Sequence, residues 1–332
     1  MAATIRDVAS LAGVSVSTVS RAFTAPDLVH PATRENVLEA ARRLGYRPNR
    51  AARGLITGKT GNIGVIVPDL GNPFFPAVLA GIQRRAREAE YAVFLADSGE
   101  DPRLERELIH AMTKQVDGVI ICSSRMSSAE LRDVAEGLDV VLLNRKYPGL
   151  PAVLMNSADG MRQALEHLAA VGHRRCAYLG GPPHSWSNRE RLRGLRATSQ
   201  ALGLDVVELG PFAPYFEAGM QAADLALAAN VTAIVAYNDL MALGVLRRLH
   251  ERHVAVPGEM SVVGFDDIPM SHMCTPPLTT VAMPAEQAGR AAVGLLLDHW
   301  SSHATDGNQQ RRLDTQLIIR GSSGPPPSAP SR

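Results

Sequence analysis

Hydroxyl and guanidinium groups follow a glycine turn near the start of the chain. Ser15 is placed to cap a short helix whose polar face carries Val16, Ser17 and Arg21. An arginine can donate two hydrogen bonds to O6 and N7 of guanine, and a valine methyl can pack on thymine. Such a helix fits the major groove of double-stranded DNA. The pattern predicts base contacts from Val16, Ser17 and Arg21, and phosphate contacts from Ser15 and Thr18.

A three-helix domain is predicted to hold that face outward. Thr4 is placed as the N-cap of the first helix, with Asp7 in capping-box position, and Gly13 supplies the left-handed residue that ends it. A third helix begins near Pro31 and ends at Gly45. Any small three-helix domain can show such a pattern, so the helices alone leave DNA binding open. The side chains predicted to face inward are Ile5, Val8, Ala9, Ala12, Val19, Ala22, Phe23, Val37, Leu38, Ala41 and Leu44.

The charge distribution favours DNA binding by this region. Residues 1–60 contain nine Lys or Arg and four Asp or Glu, a net of +5 out of a whole-chain net charge of +1. The remaining residues are therefore slightly acidic. A basic segment confined to one end is typical of a module that contacts phosphates, whereas an ordinary soluble surface would spread the charge.

Three stretches of the chain resemble the LacI/GalR family of transcription regulators. They are TIRDVASLAGVSVSTVSRAF, ATRENVLEAARRLGYRPNRAARGL and GVIVPDLGNPFF, and the resemblance extends over residues 4–320. It implies a hinge after the head, with Asn49, Arg50 and Arg53 at the DNA backbone or groove floor and Leu55 as a wedge in the minor groove. It also implies that Thr4 contacts DNA.

Beyond residue 60, short apolar strands alternate with amphipathic helices such as 76–90 and 160–171. Alternation of this kind predicts parallel sheets covered by helices on both faces. There are two such series, which predict two lobes, and the resemblance implies that they are periplasmic-binding-protein-like with a ligand cleft between them. The predicted strands are 63–67, 92–96, 118–122, 140–143 and 152–155 in the first series, and 176–179, 206–209, 233–236, 261–264 and 279–282 in the second.

Polar and aromatic residues at the carboxyl ends of these strands are the candidates for ligand binding. The resemblance implies an aromatic wall from Phe74 and Phe75, a guanidinium fork from Arg191 and acceptor groups at Asn238 and Asp266; Asn144 is placed with them. The alternatives are core aromatics at a helix start, a surface arginine in an Arg-rich run and helix capping, a role that Asp239 and Asp267 could also fill.

The chain departs from the family pattern at several of these positions. Asn156-Ser157 stands where many relatives carry Asp-Asn, and Trp186 is not a general family feature. The segment 211–216 is Pro-rich, so the sequence leaves open which of Trp186, Phe212, Tyr215 and Phe216 enters the cleft. The identity of the effector is therefore open, while a small polar metabolite such as a sugar is expected.

Composition argues against several other classes of protein. Cys122, Cys176 and Cys274 are widely spaced, which favours reduced thiols in a cytosol over disulfides or a metal site, and the first two fall in strand-like runs. No signal-peptide pattern or membrane-length apolar run is present. Nucleotide-binding, hydrolase and zinc motifs are also lacking, and His250 and His253 fit a solvated helix face. A transport-binding protein is the remaining rival, which the DNA-binding head disfavours.

The expected organisation is a helix-turn-helix head over residues 1–47, a hinge over 48–60, a core over 61–320 and a disordered tail over 321–332. Within the core, the first lobe takes about 61–156 and 283–313, and the second about 157–282 and 314–320. The expected function is that of a cytoplasmic, ligand-controlled repressor without enzymatic activity or cofactor. It would bind a palindromic operator as a homodimer, with a sugar-like effector in the cleft.

Overall fold

The computed structural model describes residues 3–24, 26–46, 59–302 and 309–327. The chain forms two compact units, Met1–Gly61 and Asn62–Arg332. In the first unit, α1 spans Ile5–Ala12, α2 spans Val16–Thr24 and α3 spans Pro31–Arg43. The predicted capping box is present, because the Thr4 hydroxyl accepts from the Asp7 backbone and the Asp7 carboxylate accepts from the Thr4 backbone at 2.8 Å.

Small and β-branched side chains form the core of this head. Val8, Val19 and Val37 are fully buried, and alanines from all three helices pack around them. The prediction that Leu44 faces this core is wrong: α3 ends at Arg43, and Leu44 at the C-cap is 36% exposed. Tyr46 packs against the core instead, with its ring centroid 6.1 Å from that of Phe23.

The second unit contains two α/β lobes, as the alternation of strands and helices predicts. Its strands are β1 Asn62–Val67, β2 Ala92–Asp97, β3 Gly118–Cys122, β4 Asp139–Leu143, β5 Ala152–Met155, β6 Arg175–Leu179, β7 Asp205–Leu209, β8 Ala233–Ala236, β9 Ser261–Asp266, β10 Thr279–Ala282, β11 Gln310–Leu313 and β12 Gln316–Ile318. Its helices are α4 Phe74–Glu88, α5 Pro102–Met112, α6 Ser128–Ala135, α7 Ser157–Ala170, α8 Trp186–Leu202, α9 Phe216–Ala228, α10 Asp239–Glu251, α11 Met270–Met273 and α12 Ala285–Ser302.

Each lobe is built on one sheet. The order is β11-β5-β4-β3-β1-β2 in the first lobe and β12-β10-β9-β8-β6-β7 in the second. The predicted parallel pairing holds throughout the first sheet, but β12 runs antiparallel to β10. The chain therefore passes between the lobes after β5, after β10 and between β11 and β12. The short, polar β11 and β12 were not foreseen as strands, because they lack the apolar runs that mark the others.

Glycines allow the covering helices to approach closely. A Cβ added at Gly81 of α4 would overlap the backbone of α12 at Glu286, and one added at Gly289 would overlap α4 at Val78. In the second lobe, a Cβ added at Gly219 of α9 would overlap the backbone of α10, and one added at Gly244 of α10 would overlap that of α9. Backbone contacts therefore fix how the two helices of each pair pack together over their sheet.

The prediction of a disordered tail from Gly321 is wrong for residues 321–327. Ser322 is fully buried, and its hydroxyl donates to the Val262 carbonyl at 2.6 Å and accepts from the Thr279 N–H at 2.8 Å. The Gly324 N–H donates to the Ser261 hydroxyl at 3.0 Å. Side-chain hydroxyls therefore anchor a segment whose composition is typical of linkers. The rest of the predicted tail lies outside the described residues.

Candidate DNA-reading helix and interlobe cleft

The outward face of α2 carries the side chains predicted to read bases. Val16 is 42% exposed, Ser17 and Arg21 are exposed, and Arg21 forms no ion pair within the part of the chain that the structure describes. Ala22 and Val19 bury the opposite face of the helix. A guanidinium on this face is free to form the planar, two-bond contact that guanine accepts.

A cluster of hydroxyls begins α2. The Ser15 hydroxyl accepts a hydrogen bond from the Thr18 N–H at 3.1 Å, and it lies 2.8 Å from the hydroxyls of both Ser17 and Thr18. Helix N-termini and hydroxyls are common partners of phosphate oxygens. Thr4, in contrast, is committed to the cap of α1. The predicted hinge contacts Asn49, Arg50, Arg53 and Leu55 lie outside the described residues.

All six side chains predicted to contact a ligand line one cavity between the lobes. The first lobe contributes Asn144 and the edge-to-face pair Phe74 and Phe75, whose ring centroids are 5.2 Å apart. The second lobe contributes Arg191, Asn238 and Asp266. The polar members follow the carboxyl ends of strands or lie near them, because parallel strands direct those ends to one edge of each sheet.

Arg191 and Asp266 form the charged centre of this cleft. The Arg191 Nη2 lies 3.5 Å from Asp266 Oδ1, and the two side chains are 3% and 8% exposed. Arg191 Nη1 donates to the Tyr237 carbonyl, and the guanidinium lies 4.7 Å and 4.2 Å from the ring centroids of Tyr237 and Phe265. Its Nε is buried without a partner among the described residues, so one donor is available to a ligand.

Burial controls the ionisation of Asp266. Loss of hydration raises the pKa of Asp266 to about 6, against the opposing effects of the Arg191 charge and a hydrogen bond from Asn72. Asp266 also has a φ of 111°, a left-handed conformation that residues other than glycine rarely adopt. The strain turns the end of β9 so that the carboxyl enters the cleft.

The two asparagines predicted as ligand contacts are already hydrogen bonded. Asn238 caps α10 by accepting from the Met241 N–H at 2.9 Å, and its amide donates to the Pro214 carbonyl at 2.9 Å. Asn144 has a φ of 54° and accepts from the Met155 N–H at 3.1 Å. The helix-capping role, which was the alternative for Asn238, is therefore present. A ligand contact by the Asn238 amide would replace its hydrogen bond to the Pro214 carbonyl.

Sequence reasoning missed a second ion pair that lines the cleft. Arg125 Nε and Nη2 donate to the two oxygens of Glu100 at 2.5 and 2.8 Å, and Arg125 Nη1 donates to the Ser123 carbonyl at 2.7 Å. The signal was available, since Ser123-Ser124-Arg125 follows β3 directly. Tyr237, which follows β8, was also missed, as were Asp69, Asn72 and Ser187.

Asp239 has a structural role and does not line the cleft. It is fully buried and accepts from Thr280, Ser271 and the Ile268 N–H, which ties α10 to β10 and α11. Burial, with a smaller effect of the Asp266 charge, raises its pKa to about 7. Asp267 instead accepts from Arg320 at 2.7 Å.

The aromatic residues left open by the sequence lie beside the cleft. Phe212 and Tyr215 line an adjoining pocket that also contacts Glu100 and Arg125. Trp186 lines a separate cavity, together with Asn156. Phe216 begins α9. The aromatic side chains at the cleft itself are those of Phe74, Phe75 and Tyr237.

The cysteines fit the expectation of core residues. Cys122 and Cys176 are buried free thiols in β3 and β6, and Cys274 is half-buried. Within the described ranges, no cluster of three or more His, Cys, Asp or Glu side chains could hold a metal ion. Among the same residues, no helix is long and apolar enough to span a bilayer.

Comparison with known proteins decides the family. A model of bacterial regulatory proteins of the lacI family matches residues 4–49, and a periplasmic binding protein-like domain matches residues 165–323. The HTH-type transcriptional repressor CytR of Escherichia coli (strain K12) is 36% identical over 332 residues, which cover 97% of this chain and 96% of that protein. The chain belongs to the LacI family of bacterial transcription regulators. The predicted family is thus confirmed, and the protein is a regulator rather than an enzyme.

Solved structures of LacI-family proteins agree along nearly the whole chain. The lac repressor dimer bound to operator and the anti-inducer ONPF has a TM-score of 0.87 at 28% identity, covering 98% of this chain and all of that one. The complex of the regulator CelR with cellobiose has a TM-score of 0.72 at 32% identity, covering 96% and 99%. The predicted fold class, a helix-turn-helix head followed by a two-lobed α/β core, is confirmed.

Proposed function

We propose that this LacI-family protein is a cytoplasmic repressor that binds a palindromic operator as a homodimer and responds to a sugar-like effector. The observation that supports the proposal is the cleft, which is lined by the predicted ligand contacts of both lobes. The same chain carries the exposed face of α2. A small molecule held by both lobes stabilises one angle between them. It therefore shifts the population of any state that depends on that angle.

The chemistry of the cleft supports a polyhydroxylated effector. Arg191 beside Asp266 and Arg125 beside Glu100 each combine fixed donors with carboxylate acceptors, which suits vicinal hydroxyls. Phe74 and Phe75 offer an apolar wall to the carbon face of a ring. The cellobiose complex of a relative with the same fold adds support for a sugar or related metabolite.

Exposed apolar side chains on the core support self-association. Phe94 and Leu95, consecutive residues of the edge strand β2, are 40% and 37% exposed, and Leu70, whose N–H donates to Asp97 at the end of β2, is 38% exposed. In the second lobe Leu225 and Met273 are 51% and 78% exposed. Apolar surface of this kind is typical of protein interfaces. Two copies would read two half-sites of a palindrome and gain selectivity over one.

The hinge completes the proposed mechanism. We infer that residues 49–55 of two copies contact the minor groove of the operator, where Leu55 enters a base step. Effector binding in the cleft would alter the spacing of the two hinges and so the affinity for the operator.

A gel-shift titration tests the proposal, using DNA fragments from upstream of the protein's own gene. The full chain should bind one fragment far more tightly than random DNA, and Arg21→Ala should cost roughly 1–3 kcal/mol per half-site and relax the preference at one base pair. Arg43→Ala is the matched control, since it removes the same charge from a residue of the head that pairs with Glu39. Equal losses in both variants, or equal losses on specific and random DNA, would refute base reading by Arg21.

A further inference from the structure

A second cavity lies between the lobes, apart from the effector cleft. It opens to solvent and shares no lining residue with that cleft. Asn156 and Trp186 at the starts of α7 and α8 line it, and Leu154 and Met155 of β5 supply apolar surface. The first lobe therefore faces the second across this cavity.

Positive side chains from both lobes surround this cavity. Lys146 and Arg312 come from the first lobe and Arg193 from the second. Within the described residues, neither Lys146 nor Arg312 has a carboxylate partner, whereas Arg193 pairs with Glu190, the acidic residue of the lining. The net charge of the lining is therefore positive, and a cleft walled by one sign of charge concentrates ions of the other sign.

Arg145 is a buried cation that precedes Lys146 in the chain, although it lines neither cavity. Its neighbour Lys146 lines the second cavity, and its other neighbour Asn144 lines the effector cleft. Arg145 is 5% exposed, and the hydrogen bond it makes, from Nη2 to the Met126 carbonyl at 3.2 Å, leaves its Nε without a partner in the described chain. Burial, followed by repulsion from Arg189, lowers its pKa. The Glu105 charge opposes this effect only in part, and no carboxylate forms an ion pair with Arg145 among the described residues. A buried guanidinium without an ion-paired partner destabilises a fold, and a bound anion relieves that cost.

Arg189 extends the positive charge across the lobe boundary. Its guanidinium lies 5.4 Å from the ring centroid of Trp186, and no carboxylate pairs with it among the residues described. Arg145 and Arg189 therefore place like charges on opposite lobes. Closure of the lobes at this edge brings these charges together, so a multivalent anion between them favours the closed arrangement.

We propose that this cavity binds a small multivalent oxyanion, an organic phosphate or polycarboxylate, as a second control input that holds the lobes together. Lys146, Arg312 and Arg193 bind the charged groups, and Trp186 contacts the organic part. The inference does not depend on the operator or on the identity of the sugar-like effector, because anion binding is measured directly.

The test is isothermal titration of the full chain with pyrophosphate and, separately, with citrate, each at an ionic strength fixed with sodium chloride. Binding is expected for at least one probe, and the responding probe identifies the phosphate or the carboxylate class. Lys146→Gln and Arg312→Gln should each weaken it by about tenfold. Both side chains are exposed, so these variants keep the fold.

Arg311→Gln is the matched control, because Arg311 is the neighbouring residue of β11, is outside the cavity lining and pairs with Asp298. It should bind the probe normally, as should Arg191→Ala in the effector cleft. The proposal is overturned if neither probe binds, if Arg311→Gln weakens binding as much as Arg312→Gln, or if Arg191→Ala abolishes binding while the cavity variants retain it.

Discussion

Acidification should weaken effector binding through Asp266. Burial raises the pKa of this carboxyl to about 6, so it carries a proton below that pH and is ionised above it. A ligand hydroxyl donates its proton to the carboxylate, and protonation removes that acceptor. The affinity for the effector is therefore highest above the pKa of Asp266. It falls as the pH falls through that pKa.

The size of the effect follows from that pKa. If only the ionised form of Asp266 binds the effector, the measured affinity is proportional to the ionised fraction of this carboxyl. With a pKa of about 6, that fraction falls about tenfold between about pH 7.5 and about pH 5, and the affinity falls with it. Asp239, whose pKa is about 7, also titrates in this range, but it lies outside the cleft and its protonation removes no ligand acceptor. The folded pKa of Asp266 exceeds its unfolded value, so this group stabilises the fold as the pH falls toward about 5. Weaker binding would not reflect unfolding driven by this group.

Isothermal titration over this pH range, with a sugar first found by a thermal-shift screen, measures the effect. Asp266→Asn is the matched control, since it keeps the size of the side chain and removes the titration. The variant should bind weakly and show a flat profile. A wild-type affinity that does not change with pH, or an equal slope in Asp266→Asn, would refute the role given to the carboxylate.

Three further substitutions test other parts of the molecule. Leu55→Ala should weaken operator binding and reduce DNA bending, seen by fluorescence transfer between labelled duplex ends; unchanged bending would make the hinge a simple tether. Arg191→Ala should leave operator binding intact and lower effector affinity by a factor that corresponds to about 1.5–3 kcal/mol in calorimetry, whereas normal affinity would remove it from the site. Ser322→Ala should lower the free energy of unfolding in urea by about 1–3 kcal/mol, because it leaves the Thr279 N–H and the Val262 carbonyl unsatisfied; a smaller change would mean that water replaces the hydroxyl.

The elements with strong local signals were predictable from sequence. The predicted strands and α4 and α7 lie within about two residues of the observed bounds, apart from a three-residue shift at the start of α7, because buried parallel strands are continuous apolar runs. The head was equally clear, since its caps and glycine turn are local. Leu44 was misjudged because a helix ended one residue before the apolar repeat did.

Features held by distant contacts were not predictable. Ser322 is ordered by hydrogen bonds to β9 and β10, which the composition of the tail does not reveal. β12 pairs with β10, whose nearest residue precedes it by more than thirty positions, and no local pattern encodes that pairing. The Arg125–Glu100 pair joins two loops in the same way. Resemblance to the family identified six cleft residues, while the second ion pair needed the fold itself.

The threefold passage of the chain between the lobes has a consequence for its synthesis. β11 and β12 are each the edge strand at one side of a sheet. Neither sheet is complete until residues 310–318 have been synthesised. A ribosome releases the head long before that point, and the buried residues of its core all lie in its own three helices. A message truncated ahead of Gln310 would yield a head that can fold attached to lobes with exposed strand edges, which proteases and aggregation would remove. The last strands thus complete both lobes of the sensor together, and the DNA-reading head is made before either lobe is closed.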